Sequence, residues 1–331
     1  MKEFIISQSQ SGQRSDKFIQ RILPGAGKSF IYKMMRKKNI VLNDKKIEGN
    51  EILSKGDVLK IWFSDETFTK LSKAAESDSH ASIYTDAYDK LKNIEVLYET
   101  DDILIADKPS GVLSQKSSAD DISLNEWLIG YLKNKVDYEL NLSYFKPSVQ
   151  NRLDRNTSGL VLCSKTVLGA ALLSDMIKNR TVKKYYHAFV LGSITEGQTL
   201  KGYHIKDEAN NKVEILTQPE YDSLSSDSKN KYVPVVTAYK PIGAPYTVFD
   251  DIIVTLIEVE LITGKSHQIR AHMASVGHPL IGDEKYGNRK VNKLLNKNYQ
   301  MLHAKRLEFP KDDRLDRLSE AIIESNINLF L

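Results

Sequence analysis

Apolar positions near the start of the chain recur at helical spacing, at Phe18, Ile19, Ile22 and Leu23, and Pro24-Gly25 ends the run. That pattern predicts a first helix. Ser29 is placed to cap a second helix through Asn39, with Ile31, Met34 and Met35 turned inward. Lys33, Arg36 and Lys37 stand three and four apart, so they share an outward face. Residues 40–42 then read as a strand, Asn43-Asp44 as a turn, and 57–63 as a second strand. Within that strand Val58, Lys60 and Trp62 alternate against Leu59, Ile61 and Phe63.

Residues 64–90 are rich in Ser, Asp and Lys, carry no sustained period, and are expected to be a linker. Beyond them, strands are predicted at 95–98, 103–106, 160–164, 187–191 and 253–262. Helices are predicted at 124–132, 169–179 and 267–276, with another near the C-terminus. Strands mixed with irregularly spaced helices, without strict βαβ alternation, argue an α+β fold. No internal repeat is apparent, and the polar stretch 219–232 reads as a long loop.

At 331 residues and 41% apolar content the chain is comfortable as two domains with a sizeable core. The expected division is 1–63, a 64–90 linker, and 91–331. No stretch approaches the roughly 18 uninterrupted apolar residues of a membrane span. The opening residues lack a secretory signal pattern, so the cytoplasm is the expected location, with no membrane partner. Cys163 is the only cysteine, which excludes an intramolecular disulfide and Cys-based zinc sites. Net charge is only +4, but residues 1–63 carry 13 Lys or Arg against 6 Asp or Glu. Positive charge is thus concentrated in the first fifth of the chain, where it can meet phosphate or simply be a solvated face.

Three segments carry candidate chemistry. In NRLDRNTSGL, residues 151–160, Asp154 lies between Arg152 and Arg155 and ahead of turn chemistry, with a strand following. Neighbouring guanidinium groups favour an ionised carboxylate, and the segment suits either a cleft or a surface Arg–Asp turn. In TGKSHQIRAHMASVGHPLIGD, residues 263–283, Ser266 can cap a helix whose Ile269, Met273 and Val276 face inward, with Gly277 just past its end. Arg270, next to Ile269, is expected away from the centre of that apolar face. His267, His272 and His278 are spaced five and six apart with no completing carboxylate, so they read as helix-end and packing residues, not metal ligands. In VKKYYHAFVLG, residues 182–192, Lys184 and Tyr186 precede a strand. The GAGKS at 25–29 lacks the glycine spacing and preceding strand of a phosphate-binding loop.

These segments, in this order, resemble the RluA-type pseudouridine synthases over about residues 94–310. NRLDRNTSGLVL is similar to that family's HRLDRxTSGLLL, which implies that Asp154 is the catalytic aspartate. KKYYHAFVLG resembles its K-x-Y-x-A-x-V-x-G segment and implies that Tyr186 stacks on the base. ITGKSHQIRAHMASVGHPLIGDEKYG resembles its TGRTHQIRVHLAxxGHPIxGDxxYG segment and implies that Arg270 is the basic partner of the aspartate. YETDDILIADKPSGV, residues 98–112, and LHAKRLEFP, residues 302–310, flank these matches. Asn151 and Lys265 depart from the family's usual His and Arg. Residues 13–63 resemble the alpha-L RNA-binding domain, the ribosomal protein S-four type.

The resemblance implies a mixed, largely antiparallel catalytic domain behind a small basic alpha-L domain. It implies isomerisation of uridine in structured RNA, ribosomal RNA above transfer RNA, by a monomer that needs neither cofactor nor metal. Arg152 is then expected to fill the gap left by a flipped base, with Arg155, Lys184, Lys33, Arg36 and Lys37 also on RNA. Whether Asp154 attacks C1′ or removes the C2′ proton stays open. A non-catalytic RNA-binding or ribosome-assembly factor is the competing class, with a metal-dependent hydrolase more distant.

Overall fold

The computed structural model describes residues 1–7, 10–72, 81–135, 142 and 145–329. Two compact units form: Met1–Ala106, Ser114–Arg152 and Val161–Asp175 make the first, and Asp107–Leu113, Leu153–Leu160 and Met176–Leu331 the second.

The first unit opens with β1 (Lys2–Ile5), α1 (Ser15–Ile22), α2 (Lys28–Arg36), β2 (Ile40–Leu42), β3 (Lys45–Lys46) and β4 (Val58–Ile61). The strands make an antiparallel sheet in the order β1-β4-β2-β3. Phe18, Ile19, Leu23, Ile31, Met35, Ile40, Leu59 and Ile61 fill one core, as the helical and alternating periods require. The start of α2 differs from expectation. Gly27 caps it without a side-chain hydrogen bond, and Ser29 lies exposed within the first turn. The helix stops early because Lys38 adopts a left-handed φ of 61°. Lys33, Arg36 and Lys37 are exposed.

Within 64–90, two helices occur, α3 (Asp65–Ser72) and α4 (Ala81–Lys90). The hydroxyl of Ser64 accepts the Thr67 N–H at the start of α3, and Phe68 stacks on Phe4. Helix α4 buries little beyond Tyr84 and Ala87, too thin an apolar stripe to register as a period. There follow β5 (Glu95–Glu99), β6 (Ile103–Lys108), α5 (Leu124–Lys133), β7 (Ser148–Val149), β8 (Ser158–Ser164) and α6 (Val167–Asn179). Gly130 lets α5 approach α4, since a Cβ there would sit 2.1 Å from the Tyr84 carbonyl oxygen.

The second unit continues with β9 (Lys183–Leu191), β10 (Gln198–Asp207), β11 (Lys212–Leu216), α7 (Gln218–Asp222) and α8 (Ser226–Lys229). Next come β12 (Val233–Pro241), β13 (Tyr246–Phe249), β14 (Ile252–Leu261), α9 (Gln268–Ser275), α10 (Arg289–Leu294), β15 (Leu302–Glu308) and β16 (Ile322–Glu324). Its sheet runs β11-β10-β12-β14-β9-β15-β8, with β13 on β14 and β16 on β15. These registers are antiparallel except for β8 with β15, which makes the fold α+β with a mixed, largely antiparallel sheet. Tyr186 lies mid-sheet, opposite Val259 on one side and Ala304 on the other.

The expected loop at 219–232 instead carries α7 and α8. Thr217 and Glu220 form a reciprocal capping box, and the Tyr221 ring stacks on Tyr203 at 3.6 Å. Strands β10, β11, β12, β15 and β16 go beyond those the pattern predicts. Strand β10 sets Lys201 and Lys206 among its apolar residues, and β12 carries a proline near each end, so neither shows a clean alternation. Near the C-terminus the expected helix is a short 3-10 turn, Asp313–Leu318, followed by the strand β16.

Candidate active site

Asp154 sits in the second unit on the turn that precedes β8, where its carbonyl accepts the Thr157 N–H. Neighbouring groups pin this turn. Gly111 N–H and the Lys108 ammonium both donate to the Arg155 carbonyl, and Ser110 Oγ donates to that of Asn156. Gln300 Nε2 donates to Thr157 Oγ1 from the far side. Gly159 has φ of 111°, and a Cβ there would stand 2.3 Å from the Ala304 carbonyl oxygen. Only glycine lets β8 come that close to β15 while holding the turn at its mouth.

Arg270, on the first turn of α9, reaches this turn. Its Nη1 donates to Asp154 Oδ2 at 2.7 Å, while Nε and Nη2 grip Asp283 at 2.7 and 2.9 Å. Its side chain is 7% exposed, that of Asp283 is 0%, and that of Asp154 is 28%. Arg270 lies off the centre of the apolar face and reaches sideways, where two carboxylates hold it inside the fold. The arrangement is a buried arginine clamped by one hidden aspartate and presenting one nitrogen to an aspartate that remains open to solvent. Burial works against the Arg270 charge, but the pairs with Asp283 and Asp154 outweigh it and hold its pKa above the usual value. Asp283 is held below the carboxylate range, since Arg270 and the N–H groups of Lys285 and Tyr286 overcome its burial.

Helix α9 also starts differently from expectation. Its N-cap is His267, in a left-handed conformation (φ 52°, ψ 14°), and Ser266 instead offers its carbonyl to His204 Nε2. Gln268 ties the helix to the sheet by donating to the Val236 carbonyl and to Thr237 Oγ1. Gly277 takes its expected place just past the helix with φ of 82°. His272 packs against Thr237 Oγ1, and burial lowers its pKa to about 4; His278 Nδ1 meets the Leu191 carbonyl. Both rings are tied to the sheet by these contacts.

Tyr186, on β9, is 5% exposed, and burial together with the Asp154 charge raises its phenol pKa. Lys184 on the same strand is buried, which lowers its pKa, with the Arg180 charge adding to the effect. Of the basic residues assigned to RNA it is the one least open to phosphate. Arg155 is exposed in the second unit, and Arg152 is exposed in the first. Asn151 Oδ1 accepts the Leu162 N–H at 2.6 Å; Lys265 is exposed.

Lys108, Asp283 and Tyr286 belong to the site although the sequence pattern assigns them no individual task. Lys108 is 0% exposed, and its ammonium donates to the carbonyls of Pro109, Val112 and Arg155. Burial lowers its pKa to about 7 despite the opposing charges of Asp154 and Asp107. Lysine before Pro-Ser-Gly in a segment otherwise reading as a strand is the available signal.

The fold thus brings together an arginine-paired aspartate at the mouth of a strand and a buried tyrosine on a mixed sheet. Residues 102–275 match the sequence profile of the RNA pseudouridylate synthase family. The match spans more than half of the chain, and the chain belongs to that family; it is an RNA pseudouridine synthase, an isomerase.

Among curated relatives, the ribosomal large subunit pseudouridine synthase C of Rickettsia felis is 31% identical over 96% of this chain and 92% of its own. That of Haemophilus influenzae is 29% identical over 97% and 92%. An uncharacterized RNA pseudouridine synthase of Mycoplasma capricolum is 27% identical over 98% of both. The fold also occurs in human RNA pseudouridylate synthase domain containing 4, at 18% identity, with 75% of this chain and 94% of that one covered and a TM-score of 0.55.

Proposed function

We propose that this enzyme converts specific uridines of large-subunit ribosomal RNA to pseudouridine, with Asp154 as the catalytic carboxylate. The observation that carries the assignment is the 2.7 Å bond from the buried Arg270 to Asp154 Oδ2, which orients the carboxylate on a pinned turn. The relatives named for large-subunit activity, matched along nearly their whole length, support the choice of RNA.

The reaction breaks the N1–C1′ bond, turns the uracil over and rejoins it through C5. A uridine stacked in folded RNA must first be flipped out, at a cost on the order of a few kcal/mol. Arg152 would fill the vacated place, and Tyr186 would stack on the uracil, worth ~1–3 kcal/mol. Glycosidases usually need a second carboxyl group as acid because an alkoxide leaves poorly. Uracil leaves as a delocalised anion, so one carboxylate suffices, either attacking C1′ or taking the C2′ proton. Arg270 stabilises the charged form in both routes.

Residues 1–63 form the alpha-L RNA-binding domain in this proposal, with 64–90 joining it to a catalytic domain at 91–331. Lys33, Arg36, Lys37 and Arg155 meet phosphate, with Lys184 nearer the base. The protein acts as a cytoplasmic monomer without a small-molecule cofactor.

The test is pseudouridine mapping across total RNA from cells lacking the gene, rescued with wild type or Asp154→Asn. Sites in large-subunit RNA restored by wild type alone are expected. Full restoration by Asp154→Asn would remove the catalytic assignment, and sites lost from transfer RNA instead would move the substrate.

A further inference from the structure

Beside the Asp154–Arg270 pair stands an imidazole that the chemistry above leaves without a task. The side chain of His267 is 9% exposed, and its Nε2 lies 3.9 Å from Asp154 Oδ2, the same oxygen that receives Arg270 Nη1. Its backbone takes the left-handed conformation at φ 52°, a region that His, like Asn and Asp, enters more readily than most residues.

The hydrogen bonds around the ring bear on which nitrogen carries the proton. The Tyr286 hydroxyl lies 2.9 Å from His267 Nδ1, and its oxygen accepts the Val213 N–H at 2.7 Å. A phenol has a single proton to give. In the arrangement proposed below, Val213 donates to the phenol oxygen and the phenol proton goes to Nδ1, so that Nδ1 accepts and Nε2 carries the N–H. The protonated nitrogen is thus the one facing Asp154. Burial lowers the His267 pKa, and the charges of Arg270 and Lys285 add to that, against the attraction of Asp154 and Asp283. Burial thereby favours the neutral ring, which can donate to Asp154 through one N–H.

We propose that His267 is a positioning residue for Asp154: with its tautomer selected by Tyr286, it donates from Nε2 to Oδ2 once the target nucleotide is bound. Arg270 and His267 then grip one carboxylate oxygen together, and Oδ1 is turned to the sugar. A separation of 3.9 Å is too long for a hydrogen bond, but catalytic hydrogen bonds are often long without substrate and tighten in the complex. The inference rests on Asp154 as the reacting carboxylate.

The test measures kcat, KM and RNA affinity on an RNA fragment containing the mapped uridine, with three substitutions. Tyr286→Phe keeps the ring that packs 5.3 Å from the Arg270 guanidinium and deletes only the hydroxyl that sets the tautomer. His267→Asn suits the left-handed backbone but is too short to reach Asp154. His267→Gln carries an amide N–H at about the reach of Nε2. A hydrogen bond to a charged group corresponds to about 10- to 100-fold in rate. Tyr286→Phe and His267→Asn are each expected to lower kcat by that factor, with RNA affinity unchanged. His267→Gln should recover most of the rate, and the Tyr286→Phe/His267→Asn double variant should be no slower than His267→Asn alone.

Loss of RNA affinity in place of kcat, failure of Gln to do better than Asn, or multiplying losses in the double variant would each overturn the proposal. Tyr286→Phe, which removes a single oxygen, decides the matter if a His267 variant folds poorly. Asp154→Asn runs alongside: activity in that variant would bring down the catalytic assignment itself, whatever the His267 variants do.

Discussion

The substitution Asp283→Asn tests whether the hidden aspartate sustains the site. Its carboxylate accepts from Arg270 Nε at 2.7 Å, Arg270 Nη2 at 2.9 Å, Lys285 N at 2.9 Å and Tyr286 N at 3.1 Å, with no exposure of its side chain. Asparagine fits the space but offers one acceptor oxygen and turns an NH2 toward N–H donors. Breaking a buried pair by removing one partner costs about 3–5 kcal/mol. Arg270 keeps Asp154, so the lower end applies, about 3 kcal/mol at pH 7. The pH dependence follows from the depressed Asp283 pKa. Its stabilisation is fully present above the unfolded value, about 3.9, and is lost as pH falls through the lower folded value. Asparagine does not titrate, so the gap between the two proteins should narrow below about pH 4. Urea unfolding followed by circular dichroism at pH 7 and at successively lower pH measures this. A difference under about 1 kcal/mol at pH 7, or one that stays constant into acid, would refute the reasoning. The kcat should fall as well, because Arg270 loses the clamp that aims Nη1 at Asp154.

Lys108, with a folded pKa of about 7 against about 10.4 unfolded, binds fewer protons folded than unfolded between those values. Its titration should make stability rise with pH across that interval, by at most ~1.4 kcal/mol per unit, and Lys108→Met should reduce the slope in unfolding measured from pH 7 to 10. Gly159→Ala forces a Cβ to within 2.3 Å of the Ala304 carbonyl oxygen at φ of 111°. A loss of at least ~2 kcal/mol is expected in thermal melts, and a neutral result would mean that β8 and β15 separate freely. Replacing Lys33, Arg36 and Lys37 by Gln should weaken RNA binding uniformly across sequences. It should also flatten log Kd against log salt by ~1 for each phosphate that no longer meets a cation, with kcat at saturating RNA unchanged.

The local pattern carried much of this far. The helical period at Phe18, Ile19, Ile22 and Leu23 and the alternation around Leu59 and Ile61 are properties of neighbouring residues, so α1, α2 and β4 could be placed from the chain alone. The turn chemistry after Asp154 likewise marked a loop entering a strand, and the segments resembling a known family pointed to Asp154, Tyr186 and Arg270. Strands β10 and β12 were not legible, because their polar residues and prolines are tolerated by partners far along the chain. The Thr217–Glu220 capping box was legible in the chain, but the polar residues after it hid the short helix it starts.

Arg270 and Asp154 lie 116 positions apart, and no spacing rule joins them. Their pairing exists because β8, β9, β14 and β15 share one sheet and α9 hangs from the end of β14. That Arg270, off the centre of its helix's apolar face, is buried follows from Asp283 waiting inside with two oxygens. His267 turns Nε2 toward Asp154 while its Nδ1 meets the Tyr286 hydroxyl, which in turn accepts the Val213 N–H. Periodicity reports which side of an element is apolar; which charge meets which depends on groups brought together across the fold.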